Sequence, residues 1–153
     1  MSDWKQPLRL VELVDKKGNI EPKGIDKLVD AVQEASDLAS NLKCEEMLAF
    51  ATSAVRSATN ANDVLKQVKK KTGVDLRILS GEEEARLTFL AARRWHGWSA
   101  GRITNFDIGG GSLEISSGTE EMPDLAVSLD LGAGRLTHEW FDTDPPERKK
   151  INM

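Results

Sequence analysis

One cysteine, Cys44, and two histidines, His96 and His138, are all that this sequence offers toward thiol or imidazole chemistry. A single cysteine closes no disulfide within the chain, which suits a reducing cytoplasm. The three residues share no ligand spacing, so neither a zinc centre nor a cysteine–histidine nucleophile is supported, and all three read as surface or packing groups. No apolar run approaches the roughly 20 residues that a membrane-spanning helix needs. Residues 1–10 carry Asp3, Lys5 and Arg9 and lack the apolar core of a signal peptide. Basic residues gather in no stripe: 21 Lys and Arg stand against 25 Asp and Glu, a formal net charge of −4. That excludes sequence-independent binding to nucleic acid, so a polyanionic ligand has to be met by local positive charge. Low-complexity segments and internal repeats are lacking too. What remains is 153 residues, 39% hydrophobic and 30% charged, enough for one soluble domain or pieces of two.

Hydrophobic spacing predicts an alternation of strands and helices. Residues 8–14 are apolar and partly alternating, as a strand is, and residues 15–19 form a turn. Pro22 suits a first helical turn, and Ile25, Leu28, Val29, Val32, Ala35, Ala39 and Leu42 follow helical spacing behind it. Residues 47–52 are short and apolar, as in a strand buried on both faces of a parallel sheet. Asn60 caps a helix that Lys69, Lys70, Lys71 and Gly73 close. Residues 74–79 predict a strand. Ser80 and Glu83 have capping-box spacing before a helix that ends near Gly97. Strands are expected at 102–108, 113–117 and 125–131, then a short helix at 135–140, a break at Pro145-Pro146 and a helix opening at Glu147. The early βαβ pattern implies a parallel sheet, and the later hairpin marks a change of style. The expected domains are therefore residues 1–98 and 99–153.

The densest chemistry lies at Asp107-Ile108-Gly109-Gly110-Gly111-Ser112-Leu113-Glu114. Three glycines are poor strand formers, and successive backbone N–H groups in such a turn make a concavity that favours phosphate. A plain glycine-rich hairpin turn is the competing reading. Asp107 and Glu114 suit a hard cation such as Mg²⁺. Ser112 and Glu114, two apart on a strand, share a face. No Lys-Ser or Lys-Thr follows the glycines, so this is not a Walker loop, and a following strand excludes a dinucleotide fingerprint. Arg56 lies past the end of a strand, where open α/β sheets gather ligands; it is either a phosphate-binding guanidinium or a surface arginine. Of Glu82, Glu83 and Glu84, helix-dipole and capping roles account for two, leaving one as a candidate general base.

Four stretches in this order resemble the exopolyphosphatase / guanosine pentaphosphate phosphatase family, and its shorter actinobacterial-type members most. They are Phe50-Ala51-Thr52-Ser53-Ala54-Val55-Arg56-Ser57-Ala58-Thr59-Asn60, Ser80-Gly81-Glu82-Glu83-Glu84-Ala85-Arg86-Leu87, the glycine stretch itself, and Ser128-Leu129-Asp130-Leu131-Gly132-Ala133-Gly134-Arg135-Leu136. The resemblance implies an α/β, actin-like, ribonuclease-H-like ATPase fold, present here in part. It implies Mg²⁺-dependent release of terminal phosphate from polyphosphate or guanosine pentaphosphate. By position, Glu84 would activate water and Arg56 would bind phosphate. Asp107 and Glu114 would hold the metal or its waters. Gly109, Gly110, Gly111 and Ser112 would form the family's second phosphate loop. The first loop of that family, of the type Asp-x-Gly-Ser-Asn, has no counterpart before Leu8. Low activity of this chain alone is therefore expected, with a non-catalytic phosphate- or partner-binding remnant, possible as a homodimer, as the alternative.

Overall fold

The computed structural model describes residues 3–141 and Pro145. The chain forms two compact units, residues 1–78 and residues 79–153. The helix expected from Glu147 lies outside the described residues, as does Pro146 of the expected break.

In the first unit, α1 (Pro22–Asn41) packs on α3 (Ala61–Thr72). Pro22 sits in the first turn of α1, where its missing N–H costs nothing. The buried faces supply Ile25, Leu28, Val64 and Val68, which close over Ile20, Val55 and Leu76. Each such apolar side chain contributes roughly 1.5–3 kcal/mol on burial. Gly73 ends α3 with a φ of 74° and donates its N–H to the Lys69 carbonyl, as expected of a helix-terminal glycine. β1 (Phe50–Ala51) and β2 (Arg77–Ile78) pair in parallel, so the βαβ reading holds. The strands are shorter than expected. Leu48 and Phe50 are exposed, because no further strand flanks this two-stranded sheet among the described residues.

The strand expected at 8–14 is not formed. Residues 10–13 make a 3-10 turn behind Arg9, which has a left-handed φ of 49°. A strand needs a neighbour to pair its backbone groups. Here the segment meets only an isolated antiparallel bridge from Val14 to Ile20 and a bond from the Glu21 N–H to the Leu13 carbonyl. The turn at 15–19 is present, and it is tied to the start of α3. Asn60 occupies the expected cap position but does not cap. Its side chain accepts the Ile20 N–H at 2.9 Å and donates to the Ile20 carbonyl at 3.0 Å.

In the second unit, β3 (Ile103–Ile108), β4 (Leu113–Gly118) and β5 (Leu125–Leu129) form an antiparallel sheet in that order. α4 (Gly81–His96) packs across all three strands. Its buried stripe is Ala85, Phe89 and Arg93, four residues apart. Gly118 leaves room for the Phe89 ring, whose tip would lie 3.3 Å from a β-carbon there. The expected boundary at residue 98 kept this helix with the first domain. The units part twenty residues earlier, because the apolar stripe of α4 is buried against β3, β4 and β5. The α4-facing side of the sheet is unusually polar, carrying Asn105, Asp107, Ser112, Glu114, Ser116 and Ser128. The other side exposes Phe106, Ile108, Leu125 and Leu129.

Candidate functional site

Four of the sequence-predicted features lie in the second unit. The capping box of α4 is complete: the Glu83 N–H donates to Ser80 Oγ at 3.1 Å, and the Ser80 N–H donates to Glu83 Oε2 at 2.8 Å. Glu82 lies along Arg86 one turn on. The remaining glutamate, Glu84, is half-buried beside sheet-facing Ala85. Of the three neighbouring glutamates, Glu83 thus caps the helix and Glu82 pairs with Arg86.

The direction of α4 sets where Glu84 lies. The Asn105 amide reaches Thr88 Oγ1 at 3.5 Å, and Arg93 donates to the Gly101 and Gly118 carbonyls at 2.7 and 2.8 Å. The helix therefore runs antiparallel to β3. One helical turn before Thr88 is Glu84, and one pleat beyond Asn105 is Asp107. Four helical residues rise about 6 Å and two strand residues nearly 7 Å, so both reach the glycine-turn end of the sheet.

Asp107 and Glu114 are directly opposite on β3 and β4, and Ser128 is opposite Glu114 on β5. The three form one row across the α4-facing side. Glu114 is 1% exposed, and Ser128 Oγ donates to its Oε1 at 2.7 Å. Asp107 is half-buried. Ser112 shares the buried face with Glu114, as strand alternation requires. Two carboxylates directly opposite on neighbouring strands are destabilising unless something offsets them. A hard cation with oxygen ligands would do so. Among the described residues, no group of three or more His, Cys, Asp or Glu side chains could hold a metal ion. The donor set on hand, two carboxylates, fits Mg²⁺, which keeps most of its shell for water and phosphate.

The glycine turn is held from behind. The Gly109 N–H donates to the Ser112 carbonyl at 2.9 Å. The carbonyls of Gly109 and Gly110 accept from the N–H groups of Ala133 and Arg135, each at 2.9 Å, at the start of α5 (Ala133–Trp140). Among the described residues, the N–H groups of Gly110 and Gly111 meet no protein acceptor. Among the described residues, the turn thus has the Gly109 and Gly110 carbonyls occupied, while the N–H groups of exposed Gly110 and buried Gly111 have no protein acceptor, a polarity that favours an anion.

The sequence matches the model of the Ppx/GppA phosphatase family over residues 1–153. The chain belongs to this family. It is 58% identical over 153 residues to Exopolyphosphatase 1 of Mycobacterium tuberculosis, covering all of this chain and 44% of that protein. Among solved Ppx/GppA-type structures, an exopolyphosphatase from Cytophaga hutchinsonii superposes with a TM-score of 0.82 at 26% identity, over 90% of this chain and 44% of that one. The Aquifex aeolicus family member gives 0.72 at 29% identity, over 94% and 46%. The actin-like α/β fold expected from the sequence is therefore that of this Ppx/GppA chain. The chain spans less than half the length of the curated relatives that it matches. No helix among the described residues is long and apolar enough to cross a membrane.

Arg56, the one predicted site residue of the first unit, ends the four-residue helix α2 (Ser53–Arg56) directly after β1. It is half-buried. Sequence reading overlooked three groups. Ser128 orients Glu114. Gly132 and Gly134 back the glycine turn. The signal for the last two was visible: a second pair of glycines at the end of a strand, in a segment that had been matched to the family without a role.

Proposed function

We propose that this chain carries the hydrolytic centre of an exopolyphosphatase, releasing terminal phosphate from inorganic polyphosphate. The observation that supports this most directly is the glycine turn, with the Gly109 and Gly110 carbonyls occupied and the Gly110 and Gly111 N–H groups without a protein acceptor among the described residues, beside the Asp107–Glu114–Ser128 row. The N–H groups of Gly110 and Gly111 bind the non-bridging oxygens of a phosphoryl group, with the Ser112 loop backbone behind them. In the first unit, Arg56 is by itself a phosphate-binding guanidinium. Asp107 and Glu114 hold Mg²⁺ or its waters, Asp107 as the more open of the two. Mg²⁺ when bound offsets charge on the phosphate chain. Glu84 accepts a proton from the attacking water.

The relatives' names favour polyphosphate over guanosine pentaphosphate, whose 5′ terminal phosphoanhydride would meet the same groups. The single thiol supports a reducing cytoplasm as the compartment. The test is Glu84→Gln, assayed for phosphate release from tripolyphosphate with Mg²⁺ and, separately, for tripolyphosphate binding. Release should fall at least 10²-fold, in the range typical of removing a general base, while binding stays within about twofold of the unsubstituted chain. Release that is undiminished in Glu84→Gln would contradict the assignment. Binding without any release by the unsubstituted chain would favour the non-catalytic alternative.

A further inference from the structure

The segment from Asp130 to Arg135 lies outside the groups assigned to phosphate or metal, yet it packs directly on the glycine turn. A β-carbon on Gly132 would overlap the Gly111–Ser112 peptide, and one on Gly134 would lie 3.0 Å from the Gly110 carbonyl oxygen. Gly132 is buried against that peptide. Neither glycine has a positive φ, so backbone freedom does not explain them; close approach does. Two N–H groups at the start of α5 take up the Gly109 and Gly110 carbonyls. An ion pair at 3.0 Å between Arg135 Nη1 and Asp130 Oδ1 joins the two ends of the segment.

We infer that Gly132 and Gly134 are positioning residues for phosphate binding: they let the start of α5 approach the glycine turn and engage its Gly109 and Gly110 carbonyls, so that these two acceptors are turned away from the ligand. This rests on the reading of the turn as a phosphate loop. The physical reason is polarity. A three-glycine turn in isolation samples conformations with either N–H groups or carbonyls outward. Fixing two carbonyls inward removes acceptors that would repel a polyanion, and leaves the donors set in advance of binding. No side chain is needed for this, only the absence of two β-carbons.

Gly134→Ala separates the idea from a purely structural role. Alanine is the better helix former, so propensity alone predicts a firmer α5. A β-carbon at 3.0 Å must instead push the Gly110 carbonyl by a few tenths of an ångström. The probe is tripolyphosphate with Mg²⁺, titrated into ¹⁵N-labelled full chain. Gly134→Ala should weaken binding about tenfold or more, since small misplacements at such sites are costly. It should move the Gly110 and Gly111 amide resonances before ligand is added and leave the melting temperature unchanged or raised. Glu139→Gln, at an exposed position near the far end of α5, should bind as the unsubstituted chain does. Equal affinity in Gly134→Ala and the unsubstituted chain would overturn the positioning role and leave the functional reading intact. No binding by the unsubstituted chain would overturn both.

Discussion

Single residues here show how one side chain can settle a local structure. Asp15 accepts the N–H groups of Lys17 and Asn19 at 2.8 and 2.9 Å, and the Asn19 side-chain amide as well. The Asn19 backbone bond is the leading cause, followed by its side chain, that holds the Asp15 carboxyl below its ordinary value. The folded chain therefore favours the charged form. That stabilisation is complete above the unfolded carboxylate pKa of about 3.9 and is lost as pH falls through the depressed native value. A ¹³C-carboxyl titration should place the Asp15 midpoint below that of an unstructured aspartate. A midpoint at or above it would contradict the hydrogen-bond account. Arg93 is the opposite case, a fully buried cation. Its two terminal nitrogens donate to the Gly97, Gly101 and Gly118 carbonyls, its Nε has no acceptor among the described residues, and its guanidinium carbon lies 5.7 Å from the Phe89 ring centroid. Burial of Arg93 depends on carbonyls brought together by the tertiary fold, which no local pattern encodes.

At the scale of elements, helices were legible and strands less so. α1, α3 and α4 have sharp ends because their stop and start signals are local: Pro22, Gly73, and the Ser80–Glu83 box. Local signals act without knowledge of the rest of the fold. Strands depend on partners. Residues 8–14 have the composition of a strand, yet residues 10–13 close into a 3-10 turn, because no strand lies alongside among the described residues. The three-stranded sheet was foreseen nearly residue for residue, since its hairpins are consecutive in sequence. Its facing was harder to read, for alternation gives two faces without saying which is covered. The polar row of Asp107, Glu114 and Ser128 faces α4, against the usual preference for an apolar interior. That inversion is what sets the candidate site apart from an ordinary hairpin. The capping box has a consequence at this scale, because Glu84 sits in the turn that it fixes. Ser80→Ala should cost about 1 kcal/mol and speed amide hydrogen exchange at Glu83 and Glu84 while leaving the exchange of β4 unchanged. Unaltered exchange in the first turn of α4 would mean that the cap does not hold Glu84 in place.

For the whole molecule, membership of the Ppx/GppA family and the actin-like fold are properties of the full chain. The second unit holds Glu84, Asp107, Ser112, Glu114 and the glycine turn in one contiguous piece of 75 residues. The first unit holds Arg56 at the end of α2. Four short motifs in the right order carried the family reading, although each was weak alone. Their order is a property of the whole chain, and so survived errors in individual strands. The roles inside the site were less legible, because they depend on which side chains meet across β3, β4 and β5 and on which carbonyls α5 takes up.

The central claim is that the glycine turn receives phosphate with a divalent cation at its side. Amide chemical-shift mapping of the chain with tripolyphosphate, in the presence and absence of Mg²⁺, tests it most directly. The account predicts that the largest shifts fall on Gly110, Gly111 and Ser112, grow with Mg²⁺, and lose that growth in Asp107→Asn. Shifts centred on the Lys69–Lys70–Lys71 end of α3, or a response at the turn that is indifferent to Mg²⁺ and to Asp107, would contradict it.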